Sequence, residues 1–418
     1  MNKNPSILSF IFIPALLLCL ATGVHANDDL LEVLRDNRTI SAEQYEQLKK
    51  KREQEASQKN SKGFEFGKKG DDFRLKVGGR IQTDAAFYDE NTRFGDGAEV
   101  RRVRLELEGR LYRHWRFALG MDYSGNAVSL NDSWLGYYGI RNTNFKIGHF
   151  KEPFSLEELS SSKYHPFMER SLANAFVPGR NLGLQASFNG ANWTVAVGGF
   201  GEGVGDNRVK GEGHGTTARA TLSPFGNSMH LGVSGTYRVP QDATSSATID
   251  SRPESHVTSI RTVNTGTISN IDHFTTIGFE WAQFLGALSL QGEYMIHNIE
   301  RTQNANAQLD GGYVLASWFL TGENRNYSPS KGKFGMIVPN KNFGDGGPGA
   351  WEVAFRYSFI DLNDRPITGG QQENYGASVN WYVNPKIRFQ LNYQHANTDP
   401  IADNLNLNII QARAQVFF

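Results

Sequence analysis

The chain has 418 residues, with 43 Lys plus Arg balanced by 43 Asp plus Glu, and a mean hydropathy of −0.47. A neutral balance excludes the basic footprint of a general nucleic-acid binder. The low hydropathy excludes a bundle of membrane-spanning helices, each of which takes roughly 20 apolar residues.

Residues 1–26 read as a secretory signal peptide: Lys3 precedes an apolar run from Ile7 to Leu20, and Val24 and Ala26 supply the small residues of a cleavage site. Leu18 stands where a lipoprotein site needs a small residue, so Cys19, the one cysteine, is expected to leave with the peptide. That excludes disulfides, thiol catalysis and cysteine-ligated metals from the mature chain. Residues 27–62 read as a short periplasmic helical segment and linker. Leu30, Leu31 and Leu34 form one apolar stripe, Ser41 with Gln44 fits a capping box, and Tyr45 and Leu48 share the next apolar face. The bland form is a marginal helical hairpin on a tether; the sharper one is a small coiled coil or envelope contact.

From residue 73 the period becomes two. Phe73, Leu75, Val77, Gly79 and Ile81 alternate with Arg74, Lys76, Arg80 and Gln82, and Ile387, Phe389, Leu391 and Tyr393 alternate with Arg388, Gln390, Asn392 and Gln394. Successive strand side chains face opposite ways, so each strand has one greasy and one polar face. Such runs fall at 73–88, 100–112, 115–123, 130–138, 143–149, 183–188, 192–200, 213–223, 229–238, 273–283, 285–296, 310–319, 350–359, 373–382, 386–394 and 406–418, about 16 in all. Tight connections such as 112–114, 189–191, 224–227 and 383–385 tend to alternate with longer ones such as 150–182, 201–212, 239–272, 297–309 and 360–372. Residues 320–349 break the rule, as a long connection on the short side.

A soluble sandwich also alternates. The asymmetry of turns and loops, and a set of outward aromatics near strand ends (Tyr88, Tyr112, Tyr137, Trp193, Tyr237, Tyr294, Trp351, Tyr357, Trp381 and Tyr393), favour an outer-membrane barrel with interfacial girdles. Ile410, Ala412, Ala414, Val416 and the terminal Phe418 share one face, the usual signal to the outer-membrane assembly machinery. Lipid satisfies no backbone N–H or C=O, so a spanning sheet must close. The expected fold is all-β: a transmembrane antiparallel β-barrel over 63–418, of about 16 strands, wide enough to leave an aqueous lumen.

The inward set is polar: Arg74, Lys76, Arg80, Gln82, Arg102, Arg104, Glu106, Glu108, Arg110, Asp122, Asp132, Glu293, Glu352, Arg356, Arg388, Asn392, Arg413 and Gln415. Arg101-Arg102-Val103-Arg104 stands out, because guanidinium groups stay charged and offer forked donors to phosphate or carboxylate oxygens. The competing reading has Arg102 and Arg104 merely paired with Glu106, Glu108 or other wall carboxylates. The connection 150–182 is too long to be a plain loop. It carries apolar anchors Phe154, Leu156, Phe167 and Met168 and a possible short helix capped at Ser155. Folded inward, it would present Ser161, Ser162, Lys163 and Arg170 opposite Arg101 and Arg102.

The stretch Phe145 to Phe154, Ser161-Ser162-Lys163, Met168-Glu169-Arg170, Gly78-Gly79-Arg80-Ile81-Gln82, the Arg101-Arg102 pair, Leu320-Thr321-Gly322-Glu323 and Gly349-Ala350-Trp351-Glu352 together resemble the phosphate-selective porin O and P family, in the same order over about residues 70–418. The resemblance implies a homotrimer of 16-stranded barrels with an anion-selective channel. It maps the central binding zone onto Arg101, Arg102, Asp132, Ser161, Ser162 and Arg170, with Arg80 on the wall. Two departures imply weaker anion attraction: Glu158 stands where phosphate-specific members carry a lysine, and 239–272 offers only Arg252 and Arg261 in place of an arginine-dense run.

No His-x-x-x-His or Glu-x-x-His spacing suggests a metal, and the Gly-rich 343–350 does not open a helix as a phosphate loop would. The expected function is passive diffusion of small anions, plausibly phosphate or polyphosphate, with no cofactor and no enzymatic step. Arg101, Arg102, Lys163 and Arg170 would draw the anion, Ser161 and Ser162 donate to it, and Asp132 hold the arginines, with Arg80 and Arg104 on the pore wall. Open beside it stand a weakly selective or cation-preferring porin, a sugar-selective porin, for which inward Trp134, Tyr138 and Tyr382 are few, and an adhesin or envelope-tether barrel.

Overall fold

The computed structural model describes residues 64–67, 71–89, 93–204, 211–241, 245–399 and 404–418, with Ser41 and Tyr45. The chain divides into two compact units, 1–60 and 61–418. In the first, Tyr45 is helical and its amide donates to the Ser41 carbonyl at 2.9 Å. The expected signal peptide and the rest of the helical segment lie outside the described residues.

The second unit is a closed antiparallel barrel of sixteen strands. They are β1 (Phe73–Tyr88), β2 (Gly97–Leu111), β3 (Trp115–Asp122), β4 (Ser129–Ile140), β5 (Thr143–Lys151), β6 (Arg180–Asn189), β7 (Trp193–Phe200) and β8 (His214–Leu222), followed by β9 (Met229–Val239), β10 (Ile271–Leu285), β11 (Leu288–Arg301), β12 (Ala307–Phe319), β13 (Ala350–Asp364), β14 (Ile367–Tyr382), β15 (Ile387–Thr398) and β16 (Asn406–Phe417). Each pairs with the next, and β1 also pairs with β16 from Arg80↔Phe417 to Tyr88↔Ile409, which closes the sheet and leaves no edge. Below that seam a short strand, Phe64–Phe66, pairs with Leu75–Val77 of β1.

The faces are inverted relative to a soluble protein. Outward Val314, Phe355, Leu391 and Ile410 are exposed, while inward Gln390, Asn374, Arg388 and Arg413 are buried. This is the pattern of a sheet with lipid outside and polar groups inside. One outward expectation is corrected: Tyr88 has the same parity as Arg80 and Gln82, so it points inward, buried against Phe94, and its hydroxyl bonds Ser255 at 2.6 Å.

The sixteen segments lie where the alternation puts them, but the expected long connection 360–372 collapses to Arg365-Pro366 between β13 and β14, and 297–309 shortens to five residues. The ladder there continues through Asp361, Asn363, Asp364 and Thr368, with a bulge between Asp361 and Asn363. Where a strand rises past the apolar band into water, both faces turn polar and the alternation disappears while the hydrogen bonds persist.

Three segments fold into the barrel. Residues 152–179 enter from the long-loop rim and carry helix α1 (Leu156–Leu159). The described part of 240–270 packs beside them, Ile249, Val263 and Ile268 meeting Phe154, Leu172, Phe176, Ile299 and Leu362. From the opposite, short-turn rim, residues 320–349 send in a hairpin, Tyr327–Ser328 paired with Lys333–Phe334, whose two aromatics pack on Leu156 and Ala282. The lumen that remains lies mainly against β1–β6.

Candidate functional site

The arginine run acquires its geometry from one backbone irregularity. On β1, Gln82 pairs with Arg102 but Thr83 pairs with Val100, so Arg101 is the extra residue of a β-bulge. Plain alternation would send adjacent Arg101 and Arg102 to opposite faces; the bulge keeps both inside. The two then part company. Arg101 is held in a forked pair by Glu169 of the inward loop, Nε to Oε1 at 2.9 Å and Nη2 to Oε2 at 3.0 Å. Arg102 is buried, donates from Nη1 to Gln82 at 2.9 Å, and has no ion pair among the described residues.

Below the bulge, Arg102 and Arg104 open onto a cavity of about 700 Å³ between β1–β6, the inward loop and the turn-rim hairpin. Its lining holds eleven Lys and Arg side chains against three acidic ones, in a chain of zero formal charge. Six of the eleven are paired: Arg80 and Lys163 with Glu106, Arg104 with Asp122, Lys151 and Arg170 with Glu158, and Arg180 with Asp132. Lys146 lies over the rings of Trp134 and Phe150, at 5.0 and 4.5 Å, and Lys331 and Lys333 come from the turn-rim hairpin.

The loop that narrows this space is pinned by buried polar contacts. Ser155, at φ 68°, caps α1 by accepting from the Glu158 amide at 3.0 Å. Glu293 of β11 accepts from the Leu156 and Glu157 amides at 3.0 and 2.7 Å, satisfying donors that a helix start leaves free. Wall side chains grip the loop's carbonyls: Arg388 donates to His165, Ser378, Asn380 and Gln390 to Pro166, and Arg413 to Met168. Much of the polar inner wall of β14–β16 therefore serves as a mount for the loop.

Within the loop, the charges are held fixed. Burial works to raise the Glu158 carboxyl, but Arg170 and Lys151 pull it down to about 2. Burial likewise opposes Glu169, and Arg101 and Arg102 still hold it well below the ordinary carboxylate range. Glu157 goes the other way, raised because burial outweighs the nearby Arg356. Burial lowers Lys163 from the usual lysine value against the pull of Glu106.

Of the residues singled out in the sequence, Arg80, Arg102, Arg104, Asp132, Ser161, Ser162, Lys163 and Arg170 line the cavity together; Arg101 is engaged by Glu169 outside that lining. Asp132 holds Arg180, 2.8 Å away. Ser162 accepts from Arg80 Nη1 at 3.0 Å. Sequence reasoning missed Lys146, Lys151, Arg180, Lys331 and Lys333. The first three sit in the strands that bracket the inward loop: Lys146 has inward parity, which was a signal, whereas Lys151 and Arg180 share the parity of outward Ile147 and Leu182 and were marked only by their place beside the loop; for the two in 320–349, the signal was a long connection on the short side with aromatic anchors at Tyr327 and Phe334.

The model of the family "Phosphate-selective porin O and P" matches residues 75–418. Porin O of Pseudomonas aeruginosa is 28% identical over 392 residues, covering 83% of this chain and 88% of that protein. Among solved structures, a loop L8 deletion mutant of OmpT, an outer membrane protein of Vibrio cholerae, superposes with a TM-score of 0.58 at 10% identity, covering 83% of this chain and all of that one. An anion-selective porin from Comamonas acidovorans gives 0.56, also at 10% identity, with the same coverage. With the family pattern matched across the whole barrel, the chain belongs to the phosphate-selective porin O and P family and is a porin of the bacterial outer membrane.

Proposed function

We propose that this porin passes small anions of the phosphate type down their gradient, with a cation-lined cavity as its selective zone. The observation that carries the reading is the concentration of eleven basic side chains around one cavity of a neutral chain. Fixed positive groups between low-dielectric walls raise the local anion concentration and offset part of the hydration an anion gives up. Arg102 is the best placed of them. It has no carboxylate within ion-pair distance among the described residues, and its Nε is buried with no hydrogen-bond partner among them. The Nε of Arg80 is likewise unpartnered. Lys163, Arg170, Ser161 and Ser162 would present further donors from the loop, with Arg104 on the wall and Lys331 and Lys333 on the turn-rim side. Arg101 would act by holding Glu169, and Asp132 by holding Arg180. The turn rim would face the periplasm, residues 1–26 would direct export, 27–62 would be periplasmic, Phe418 would engage the outer-membrane assembly machinery, and the barrels would form a homotrimer.

A weakly selective porin is the second reading, favoured by the six cations that already have carboxylate partners. Reversal potentials across a planar bilayer in a salt gradient separate the two. The anion reading expects chloride to be preferred over potassium, phosphate to block the chloride current, and Arg102→Ala to reduce both effects. A wild-type channel with no anion preference would overturn it.

A further inference from the structure

One carboxylate sits where an anion belongs. Glu106, on β2, lines the cavity and is about 29% exposed to it. Its Oε1 accepts from Arg80 Nη2 at 2.8 Å, and its Oε2 accepts from Lys163 Nζ at 3.3 Å. Arg80 turns its other terminal nitrogen, Nη1, to Ser162 Oγ at 3.0 Å. A wall guanidinium and a loop-tip ammonium thus converge on one position, with Ser162 orienting the guanidinium from behind, and that donor pair is what an oxyanion calls for. Glu108 lies two residues further along the same face. It also lines the cavity, and it makes no ion pair within 4.0 Å among the described residues.

We infer that Glu106 is a resident counter-ion that sets selectivity: it occupies Arg80 and Lys163 in the unloaded pore and competes with the permeating anion for them. The inference rests on the anion reading above and names the residue that limits it. The competition acts in two ways. It places a fixed negative charge within a few ångströms of the passing ion, so an anion of higher charge is held less tightly than the cation count implies. It also supplies forked oxygens that refill the donor set as the ion departs, which keeps release fast. Ions that compete with it best are small oxyanions that can offer two oxygens to Arg80 and Lys163 together.

The same bridge ties Lys163 of the loop to the wall, so a tether alone is the rival explanation. Bilayer recordings of the full-length wild type, Glu106→Gln and Glu108→Gln separate them. A unit charge removed a few ångströms from the ion path is worth a several-fold change in occupancy, so Glu106→Gln is expected to raise the chloride-to-potassium permeability ratio about threefold and to lower the phosphate concentration for half-block about tenfold. Glu108→Gln removes the same charge without breaking a bridge and is expected to move both values by less than half as much. If Glu106→Gln raises conductance with an unchanged permeability ratio, Glu106 is only a tether and the inference fails; it fails equally if the two variants shift selectivity alike. Should Glu106→Gln not assemble, Glu106→Asp withdraws the carboxylate by one methylene at constant charge. It is expected to tighten phosphate block about twofold, and an unchanged block overturns the inference. The wild-type ratio in the same recordings judges the anion reading separately.

Discussion

Replacing Glu169 with Gln tests whether the inward loop is held electrostatically. The carboxylate takes both forks of Arg101 and a third bond from Arg413 Nη2 at 3.0 Å. Arg413 keeps Asp84, at 2.7 and 2.6 Å, and the Met168 carbonyl at 2.7 Å, but Arg101 loses its ion pair. Breaking a buried pair costs about 3–5 kcal/mol; with Arg101 16% and Glu169 17% exposed, water recovers part of that, leaving about 1–3 kcal/mol. In a domain of this size, that lowers the melting temperature by about 2–5 °C. The readout is the temperature at which the folded, fast-migrating band is lost on a denaturing gel, read beside single-channel recordings. The freed Arg101 should raise anion preference while the loosened loop adds open-channel noise. The pH dependence has a definite sign. Because the native Glu169 carboxyl lies well below the usual ~4.3, its contribution is present above that value and lost only as pH falls through the lower native one. The wild type should therefore keep its advantage over Glu169→Gln from neutral pH down to pH 4. Equal melting and equal noise in the two proteins at pH 7 would refute the reasoning.

Further outcomes follow from the same geometry. Changing Lys331 and Lys333 together to Gln removes two cavity cations supplied from the turn rim and should cut the chloride-to-potassium permeability ratio about threefold, whereas an unchanged ratio would place the hairpin outside the ion path. Phe334→Ala empties a buried site against Leu156, Ala282 and Tyr327, at a cost of about 3–5 kcal/mol; a clear drop in melting and larger current fluctuations are expected, and normal values for both would show that the hairpin does not brace the loop. The Lys151–Glu158–Arg170 group should stay charged far into acid, since Glu158 is held at about 2. Its contribution is present above the usual carboxylate value and lost as pH falls through about 2, so Glu158→Gln should alter conductance by the same factor at pH 4 and pH 6. A factor that shrinks between those two values would contradict the assignment.

Period-two alternation, the terminal aromatic and the turn–loop asymmetry determined the barrel, its strand number and, away from the rims and the bulge, which side chains face inward, because one face of each strand must meet lipid and no spanning backbone group can stay unpaired. Ser155 was legible as a helix cap for a similar reason: a cap is decided within four residues of chain. The selective zone was decided elsewhere. Whether Arg101 faces the lumen depends on a bulge between two strands, and whether Arg102 is free while Arg104 is neutralised depends on Asp122 of the neighbouring strand. Lys331 and Lys333 reach the cavity only because aromatics of 320–349 find Leu156, a contact more than 150 residues away along the chain. A sequence lists charges as a sum; the fold chooses which of them neutralise one another, since ion pairing acts over a few ångströms and is indifferent to distance along the chain.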